Sequence, residues 1–184
     1  MNASGEAILR DPRPCGHMVY PYTNQSQFVR AVSLFVGAGL QASESALLIM
    51  EHSHCEPIRR RLQENGFEVS TLEAGGQLNF IEAEDIMPTF LFDGIIDEHK
   101  FKMRVGELIR QGKSASSSGQ VRVFGEIVNL LWEPDPKSTQ RLEELWNDVI
   151  KFHSVPLLCA YALGGVHPDA LGDSLLACHS DALV

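Results

Sequence analysis

Two short segments of the chain are apolar along almost their whole length, and they constrain the fold more than any other feature. Residues 45–51 read SALLIME and residues 155–163 read VPLLCAYAL, without the polar alternation of a strand that has one face in water. A strand is apolar throughout when both of its faces are covered, as in a parallel sheet flanked by helices. Both segments are too short to cross a bilayer as helices. They therefore predict central strands of a parallel sheet.

Amphipathic helical patterns alternate with the predicted strands. The first strand, HMVYPY, is followed by Phe28, Val32, Phe35 and Gly39 at helical spacing. Strands that alternate with helices of ten or more residues form right-handed crossovers, so the sequence predicts a three-layer α/β/α fold with a mainly parallel sheet. Further strands are predicted in FEVSTLEA (67–74), GGQLNFIEA (75–83) and QVRVFGEI (120–127), and further helices at 52–65, at 97–113, at 135–153 with Asp135 as its cap, and in the tail 167–184.

Length and composition indicate one globular domain. The chain has 184 residues, of which 44% are hydrophobic and 21% are charged. A chain of this length buries a full core without disulfides or metals. The first 14 residues contain two prolines and few apolar side chains. We therefore expect residues 1–14 to be a flexible lead-in and residues 15–184 to be a single domain.

The charge balance of the chain argues against a nucleic-acid partner. The net charge is −9, and the dense basic cluster at residues 59–61 lies within a predicted helix, so it fans around that helix. Nucleic-acid partners normally require clustered basic residues, so we expect no direct nucleic-acid binding.

The four cysteines are scattered without a CxxC pair. Free thiols, with no membrane-spanning segment, lead us to expect a cytoplasmic protein.

The carboxyl ends of the predicted strands are the place to look for a site. In open parallel sheets, ligands bind at these ends. Polar side chains occur there after four strands: Tyr22, Glu51, Glu126 and, on the last strand, Tyr161. Glu51 and Glu126 together would allow acid/base chemistry or metal binding. The alternative is that each is hydrated or paired with an arginine, for which Arg59, Arg104 and Arg122 are available.

A nucleotide-phosphate site is not indicated by the turn after the first strand. That turn reads YPYTNQSQ and contains neither glycine nor lysine. Phosphate loops need backbone N–H groups from a glycine-rich turn and usually a lysine. We therefore expect no phosphate loop in this chain.

The segment EHSHC at residues 51–55 raises the question of a metal site. His52, His54 and Cys55 offer two ligands at most on one side of an extended chain, whereas a structural zinc site needs four. Other donors would have to converge from distant parts of the chain: His17, Cys159, Cys178 and His179. We therefore expect no metal, and we expect the two histidines beside Glu51 to be bystanders.

Three positions are candidates for lining a pocket. Cys159 and Tyr161 are two residues apart on one strand and share a face. Cys159 alone is more often a small buried hydrophobe than a ligand. Trp132 follows the strand that ends near Glu126 and is a candidate pocket wall, whereas Trp146 continues the apolar stripe of its helix and is expected in the core.

Taken in order, these segments resemble the MEDS domain family over about residues 15 to 180. The resemblance is carried by the succession HMVYPY, LLIMEH followed by RRRLQENGFEV, GGQLNFIEA, VRVFGE with a nearby tryptophan, and LLCAYAL. MEDS domains are sensory domains of dichloromethane-responsive regulators and methanogen signalling proteins, and the family is similar to RecA-like and KaiC-like ATPases without their phosphate loop. The resemblance implies that His17, Glu126, Cys159 and Tyr161 line a pocket.

The resemblance and the strand-end residues together predict a non-enzymatic sensor of bacterial or archaeal signalling without a cofactor. It would bind a small organic or hydrocarbon-like ligand at the carboxyl ends of the strands, through seven residues: His17, Tyr22, Glu51, Glu126, Trp132, Cys159 and Tyr161. The expected output partner is a histidine kinase or a transcription regulator, and a homodimer is possible. The alternatives are an ATPase that uses Glu51, a metal-responsive or redox-responsive module that uses His52, His54 and the cysteines, and a structural dimerisation module.

Overall fold

The computed structural model describes residues 1–132, 136–163 and 176–183 of the chain. The strands in these ranges are β1 (His17–Tyr22), β2 (Ser45–Met50), β3 (Leu78–Glu82), β4 (Leu91–Phe92), β5 (Ile95–Ile96), β6 (Val121–Gly125), β7 (Leu157–Ala162) and β8 (Asp181–Ala182). The helices are α1 (Ala3–Arg10), α2 (Gln25–Gln41), α3 (His52–Glu64), α4 (Val69–Ala74), α5 (Ala83–Ile86), α6 (Glu98–Ala115), α7 (Ile127–Trp132) and α8 (Pro136–His153).

One sheet organises the structure. Its six strands lie in the order β3-β2-β6-β7-β1-β8, and every neighbouring pair is parallel. Strands β4 and β5 form a separate antiparallel hairpin. The predicted three-layer α/β/α fold with a parallel sheet is confirmed. All carboxyl ends of the sheet strands consequently meet at one edge, which is called the carboxyl edge below.

Each face of the sheet is covered by its own hydrophobic core. Residues of β2 alternate between the two cores: Leu47 and Ile49 pack on one side, whereas Ala46, Leu48 and Met50 pack on the other. The first core includes side chains of α6 and α8, and the second includes side chains of α2 and α3. This double coverage explains why SALLIM lacks polar alternation.

The segment 67–74 differs from the expectation of a strand. Residues Val69–Ala74 form the short helix α4, and its Val69 side chain is buried while Leu72 packs against the same core. A spacing of three residues suits one helical turn, and a segment this short has no periodicity that separates helix from strand. Gly76, at a φ of +70°, then turns the chain into β3.

The N-terminal stretch also differs from the expected flexible lead-in. Residues Ala3–Arg10 form helix α1, whose first turn is capped by the Asn2 side chain accepting from the Gly5 N–H. Leu9 is fully buried in the second core. Capping and burial together fix this helix on the domain.

Arg122 ties α1 to the sheet. Its guanidinium is buried and forms an ion pair with Glu44. It also donates to three backbone carbonyls, those of Leu9, Arg10 and Phe35, at 2.9 to 3.0 Å. The planar guanidinium fork supplies several donors in fixed directions, so one side chain satisfies groups from three segments.

Two sequence predictions fall partly or wholly outside the described ranges. Asp135, the expected cap of α8, lies there, as does most of the tail that was expected to form a helix. The described part of that tail, residues 176–183, includes β8, which pairs in parallel with β1 at Met18 and Val19. Within the described ranges, no helix is long and apolar enough to cross a membrane.

Replacing Arg122 by methionine is expected to lower the free energy of unfolding by roughly 3 kcal/mol. The substitution keeps the apolar stem but leaves the buried carbonyls and the Glu44 carboxylate without their donor. Urea denaturation of both proteins measures the difference. As a control, Arg59→Met removes the half-exposed ion pair with Glu73 and should cost about 1 kcal/mol or less. Equal losses in the two variants would contradict the assigned role of Arg122.

Candidate functional site

Five polar side chains meet at the carboxyl edge of the sheet and are called the edge cluster. Each comes from the end of a strand or from the helix that follows it: Tyr22 ends β1, Glu51 follows β2, His54 lies in the first turn of α3, Glu126 follows β6, and Asn129 lies in α7. Because β1, β2 and β6 are parallel, their ends bring these residues together.

Glu126 is the centre of the edge cluster. Its carboxylate is wholly buried. Oε1 accepts from the Tyr22 hydroxyl at 3.3 Å and lies 2.8 Å from His54 Nδ1, while Oε2 accepts from the backbone N–H of Glu51 at 3.1 Å. A buried carboxylate is tolerated when it is hydrogen-bonded in this way.

His54 forms an ion pair with Glu126 and is therefore part of the cluster, which differs from the expectation that it is a bystander. The hydrogen bond to Glu126 raises the pKa of the imidazole, burial opposes that shift, and the charges of Glu126 and Glu51 add to it. The ring also packs on Phe28 at a centroid distance of 4.5 Å. The raised pKa favours an imidazolium beside the buried carboxylate.

Glu51 and Asn129 extend the cluster toward β7. Burial and the nearby Glu126 charge raise the pKa of Glu51. Asn129 Nδ2 donates to Glu51 Oε1 at 3.4 Å, and Asn129 Oδ1 accepts from the Ala162 N–H at 2.8 Å. Burial, with the same two glutamates, also raises the pKa of the Tyr22 hydroxyl, which therefore remains a hydrogen-bond donor.

Two of the three arginines considered as partners of these glutamates lie elsewhere. Arg122 pairs with Glu44, and Arg59 pairs with Glu73. His54 takes the cationic role beside Glu126 instead. The donor atoms of Glu51, His54 and Glu126 lie within 4.8 Å of one another, so this set has the composition of a three-ligand cation site.

A second group of polar side chains lies between the sheet and α8 and is called the buried cluster. Its members come from four segments: His17 from β1, Glu143 from α8, Cys159 and Tyr161 from β7, and His179 from the residues before β8. The side chains of His17, Glu143 and His179 are at most 2% exposed. The described structure thus brings together donors that are up to 162 positions apart along the sequence.

Glu143 connects the members of the buried cluster. Oε2 lies 3.1 Å from His17 Nε2 and 3.6 Å from Cys159 Sγ. Oε1 lies 3.2 Å from His179 Nε2 and accepts from the Tyr161 hydroxyl at 2.5 Å. The two carboxylate oxygens therefore face different members of the cluster.

Within the buried cluster, the pKa of Glu143 is lowered, whereas the pKa values of Cys159 and Tyr161 are raised. Burial by itself would raise the pKa of Glu143, but the hydrogen bonds with His17 and His179 outweigh it and hold the pKa of that carboxyl well below its usual range. Burial and the Glu143 charge raise the pKa of both the Cys159 thiol and the Tyr161 hydroxyl. Without a further cation, both remain protonated donors.

Six of the seven residues predicted to bind one ligand divide between these two clusters. Tyr22, Glu51 and Glu126 belong to the edge cluster, and His17, Cys159 and Tyr161 belong to the buried cluster. The Trp132 side chain lies outside the described part of the structure. Residues of β1 and β7 point to opposite faces in turn, and Tyr22 packs in the second core whereas Cys159 and Tyr161 pack in the first.

The side chains of His52, His54 and Cys55 in the EHSHC segment contact different partners. His52 is exposed and pairs with Glu82, and the Cys55 thiol donates to the Glu51 carbonyl at 3.6 Å. Only His54 of these three residues reaches Glu126 among the described contacts. The proposed set of His52, His54 and Cys55 as metal ligands is therefore not brought together.

Sequence reasoning missed Asn129 and Glu143, and a signal existed for Glu143. Glu143 precedes Trp146 by three residues and Ile150 by seven, so it lies on the apolar face of α8 with two core residues. A carboxylate at such a position is buried on folding and needs partners. Asn129 carries no comparable pattern because α7 has six residues.

The comparison with family models returns one description, "MEthanogen/methylotroph, DcmR Sensory domain", abbreviated MEDS, which matches residues 16–180. The chain belongs to the MEDS family. The resemblance drawn from its motifs is confirmed. MEDS is a family of sensory domains, which supports a role in signalling, and the matched range includes every residue of both clusters. No curated protein matches the chain.

A cleft of about 350 Å³ is present on another surface of this MEDS domain. It lies between α6 and α8 and is lined by Met103, Val149 and Phe152 together with charged residues. Phe152 is 85% exposed. Neither cluster contributes to the lining of this cleft.

The His54–Glu126 pair predicts a specific pH dependence of stability. The pKa of His54 is raised in the folded domain, so the pair stabilises fully below the unfolded pKa and its contribution disappears as the pH rises through the folded pKa. His54→Gln should therefore lower the free energy of unfolding by about 2 kcal/mol near pH 6, with a smaller loss near pH 9. Urea denaturation at both pH values measures this difference.

The neighbouring histidine provides the control for this prediction. The His52 side chain is 78% exposed, so its pairing with Glu82 is screened by solvent. His52→Gln should change stability little at either pH. A loss for His54→Gln that stays constant between the two pH values would show that His54 acts through packing on Phe28 rather than through its charge.

Proposed function

We propose that this chain is a non-enzymatic sensor domain that binds a small, weakly polar organic ligand at the edge cluster. The family match supports the sensory role. The observation that supports the location is Glu126, a fully buried carboxylate at the end of β6 whose partners come from the ends of two other strands, β1 and β2. Groups that converge in this way at the carboxyl edge of a parallel sheet are typical of ligand sites.

The residues of the edge cluster suit a ligand with a small polar group and an apolar body. Tyr22 and Asn129 offer a hydroxyl and an amide for hydrogen bonds, and Phe28 offers an apolar ring in contact with Tyr22 and His54. A hydroxyl or amine of the ligand would compete for the bonds that these groups now make with Glu126 and Glu51. A few polar groups beside an apolar wall provide orientation and specificity.

A change in these hydrogen bonds would be transmitted to the helices behind them. Glu126 is linked to the first turn of α3 through the Glu51 N–H and His54, and Asn129 links α7 to the end of β7. A ligand shifts such a domain between two conformations only to the extent that it binds them with different affinity. The output partner, a histidine kinase or a transcription regulator, would respond to the conformation that the ligand favours.

The ATPase alternative places nucleotide chemistry at the same edge. The connection between β1 and α2 consists of Thr23 and Asn24, and Asn24 caps the helix through its side chain. This turn contains no glycine, whose backbone N–H could approach a phosphate, and no lysine, whose side chain could bind one. Calorimetric titration with ATP and magnesium tests the alternative, and saturable binding would favour it over the sensor.

A thermal-shift screen with one-carbon and two-carbon alcohols, amines and haloalkanes tests the proposed function. A ligand at about 100 times its dissociation constant stabilises by about 2.7 kcal/mol, which raises the melting temperature of a domain of this size by roughly 5–10 °C. We expect at least one member of the panel to produce such a shift in the wild type. Tyr22→Phe, which removes one hydroxyl, should reduce the shift at equal ligand concentration.

The control is Glu82→Gln, which removes a partly exposed carboxylate at the end of β3 that pairs with the surface residue His52. This variant should keep the full ligand-induced shift. If Glu82→Gln and Tyr22→Phe lose the shift equally, or if no compound in the panel shifts the wild type, the edge cluster is not the ligand site of this chain.

A further inference from the structure

We propose that four side chains of the buried cluster bind one zinc ion: His17, Glu143, Cys159 and His179. Each offers one donor atom, and these four atoms all lie within 4.8 Å of one another. This proposal is independent of the sensor proposal because it uses none of the residues of the edge cluster.

The separations between the donor atoms are close to those around a tetrahedral zinc ion. Zinc binds nitrogen at about 2.0–2.1 Å and thiolate sulfur at about 2.3 Å, which places neighbouring ligands roughly 3.3–3.6 Å apart. His17 Nε2 lies 3.3 Å from Cys159 Sγ and 3.1 Å from Glu143 Oε2. Glu143 Oε2 also lies 3.6 Å from the Cys159 sulfur, and the donor atom of His179 lies within 4.8 Å of those of the other three residues.

The orientation of His17 directs its Nε2 atom into the cluster. Asn147 Nδ2 donates to the carbonyls of Glu143 and Cys178, so Asn147 Oδ1 faces His17 Nδ1 at 3.3 Å as an acceptor. In a zinc-bound state the Nδ1 proton of His17 would be donated to Asn147, which leaves Nε2 to bind the metal. Metal-bound histidines are commonly held by such a bond from their other nitrogen.

The neighbours of Nε2 are suited to a shared cation. Nε2 of His17 faces the Glu143 carboxylate and the Cys159 sulfur, which are themselves electron-pair donors. The Cys159 S–H now donates to Glu143, and zinc binding would release this proton as the thiolate forms. A Zn²⁺ ion with one carboxylate, one thiolate and two neutral imidazoles carries no net charge, which suits a site that is almost fully removed from water.

Tyr161 is not one of the four proposed zinc ligands, but it contacts one of them. Its hydroxyl donates to Glu143 Oε1, the oxygen turned away from His17 and Cys159. Such an outer hydrogen bond orients a ligating carboxylate. The mixed nitrogen, sulfur and oxygen donor set favours a borderline cation such as Zn²⁺ over Mg²⁺ or Ca²⁺, which prefer oxygen ligands.

A metal at this position would join the C-terminal segment to the sheet. His179 precedes β8, its neighbour Ser180 bonds both the N–H and the carbonyl of His17, and the rings of His17 and His179 lie 4.2 Å apart. The four ligands come from β1, α8, β7 and this segment. We therefore assign the zinc ion a structural role, with ligand binding left to the edge cluster.

Metal analysis of the full chain tests the proposal directly. Wild-type protein equilibrated with equimolar zinc and desalted should retain about one zinc per chain, and removal of the metal by a chelator should lower the melting temperature, which added zinc restores. Wild-type protein that retains far less than one zinc per chain, or whose melting temperature does not respond to zinc, overturns the proposal and shows that a proton occupies the cluster.

Cobalt substitution identifies the ligands. Co²⁺ bound by a thiolate gives a charge-transfer band in the near ultraviolet, and Cys159→Ser should lose this band. Cys55→Ser, which changes a buried cysteine outside the cluster, and Cys178→Ser, which changes a cysteine beside it, should both keep the band. Retention of the band in Cys159→Ser, or its loss in Cys178→Ser alone, overturns the assigned ligand set.

A histidine variant keeps the test valid if Cys159→Ser does not fold. His179→Gln removes one ligand from the C-terminal segment, and His99→Gln changes an exposed histidine as its control. We expect at least a tenfold weaker retention of zinc for His179→Gln and no change for His99→Gln. Failure of these metal tests leaves the thermal-shift response of the edge cluster unaffected, so the two proposals are tested separately.

Discussion

A parallel sheet is stable only when helices cover both of its faces, and the rest of this structure depends on that requirement. The connections between β1, β2, β6 and β7 must cross over the sheet, so α2 and α3 pack on one face while α6 and α8 pack on the other. The carboxyl ends of the strands are left together at one edge. The N-terminal helix α1 adds to the cover over the α2 side and is tied there by Arg122.

Two glutamates are buried by the helices that cover the sheet, and each has hydrogen-bond partners for its carboxylate. Glu126 lies at the carboxyl edge and is matched by an imidazole, a hydroxyl and a backbone N–H. Glu143 lies on the buried side of α8 and is matched by two imidazoles, a thiol and a hydroxyl. A carboxylate without such partners would be costly at either position. The different partners give the two clusters different chemistry, which is why we propose the first as a ligand site and the second as a metal site.

Much of the fold followed from local patterns, and so did part of the site. The apolar strands β2 and β7, the amphipathic helix α2 and the strand β6 were predictable because burial on both faces and helical periodicity leave clear traces. The positions of the predicted strand ends identified Tyr22, Glu51 and Glu126 as candidate site residues. The segments that were misassigned, α1 and α4, are short, and their helical state depends on packing by Leu9 and Val69 against partners that are distant in sequence.

The sequence by itself determined the α/β class, the parallel sheet and the MEDS relationship, because each of these rests on the order and periodicity of short segments. The tertiary structure alone decided which candidates act together. It separated Cys159 and Tyr161 from Tyr22, since alternate strand residues face opposite cores, and it joined His54 to Glu126. It also brought Glu143 and His179 to His17 and Cys159. Such groupings depend on strand register and helix packing, which no local pattern in the sequence records.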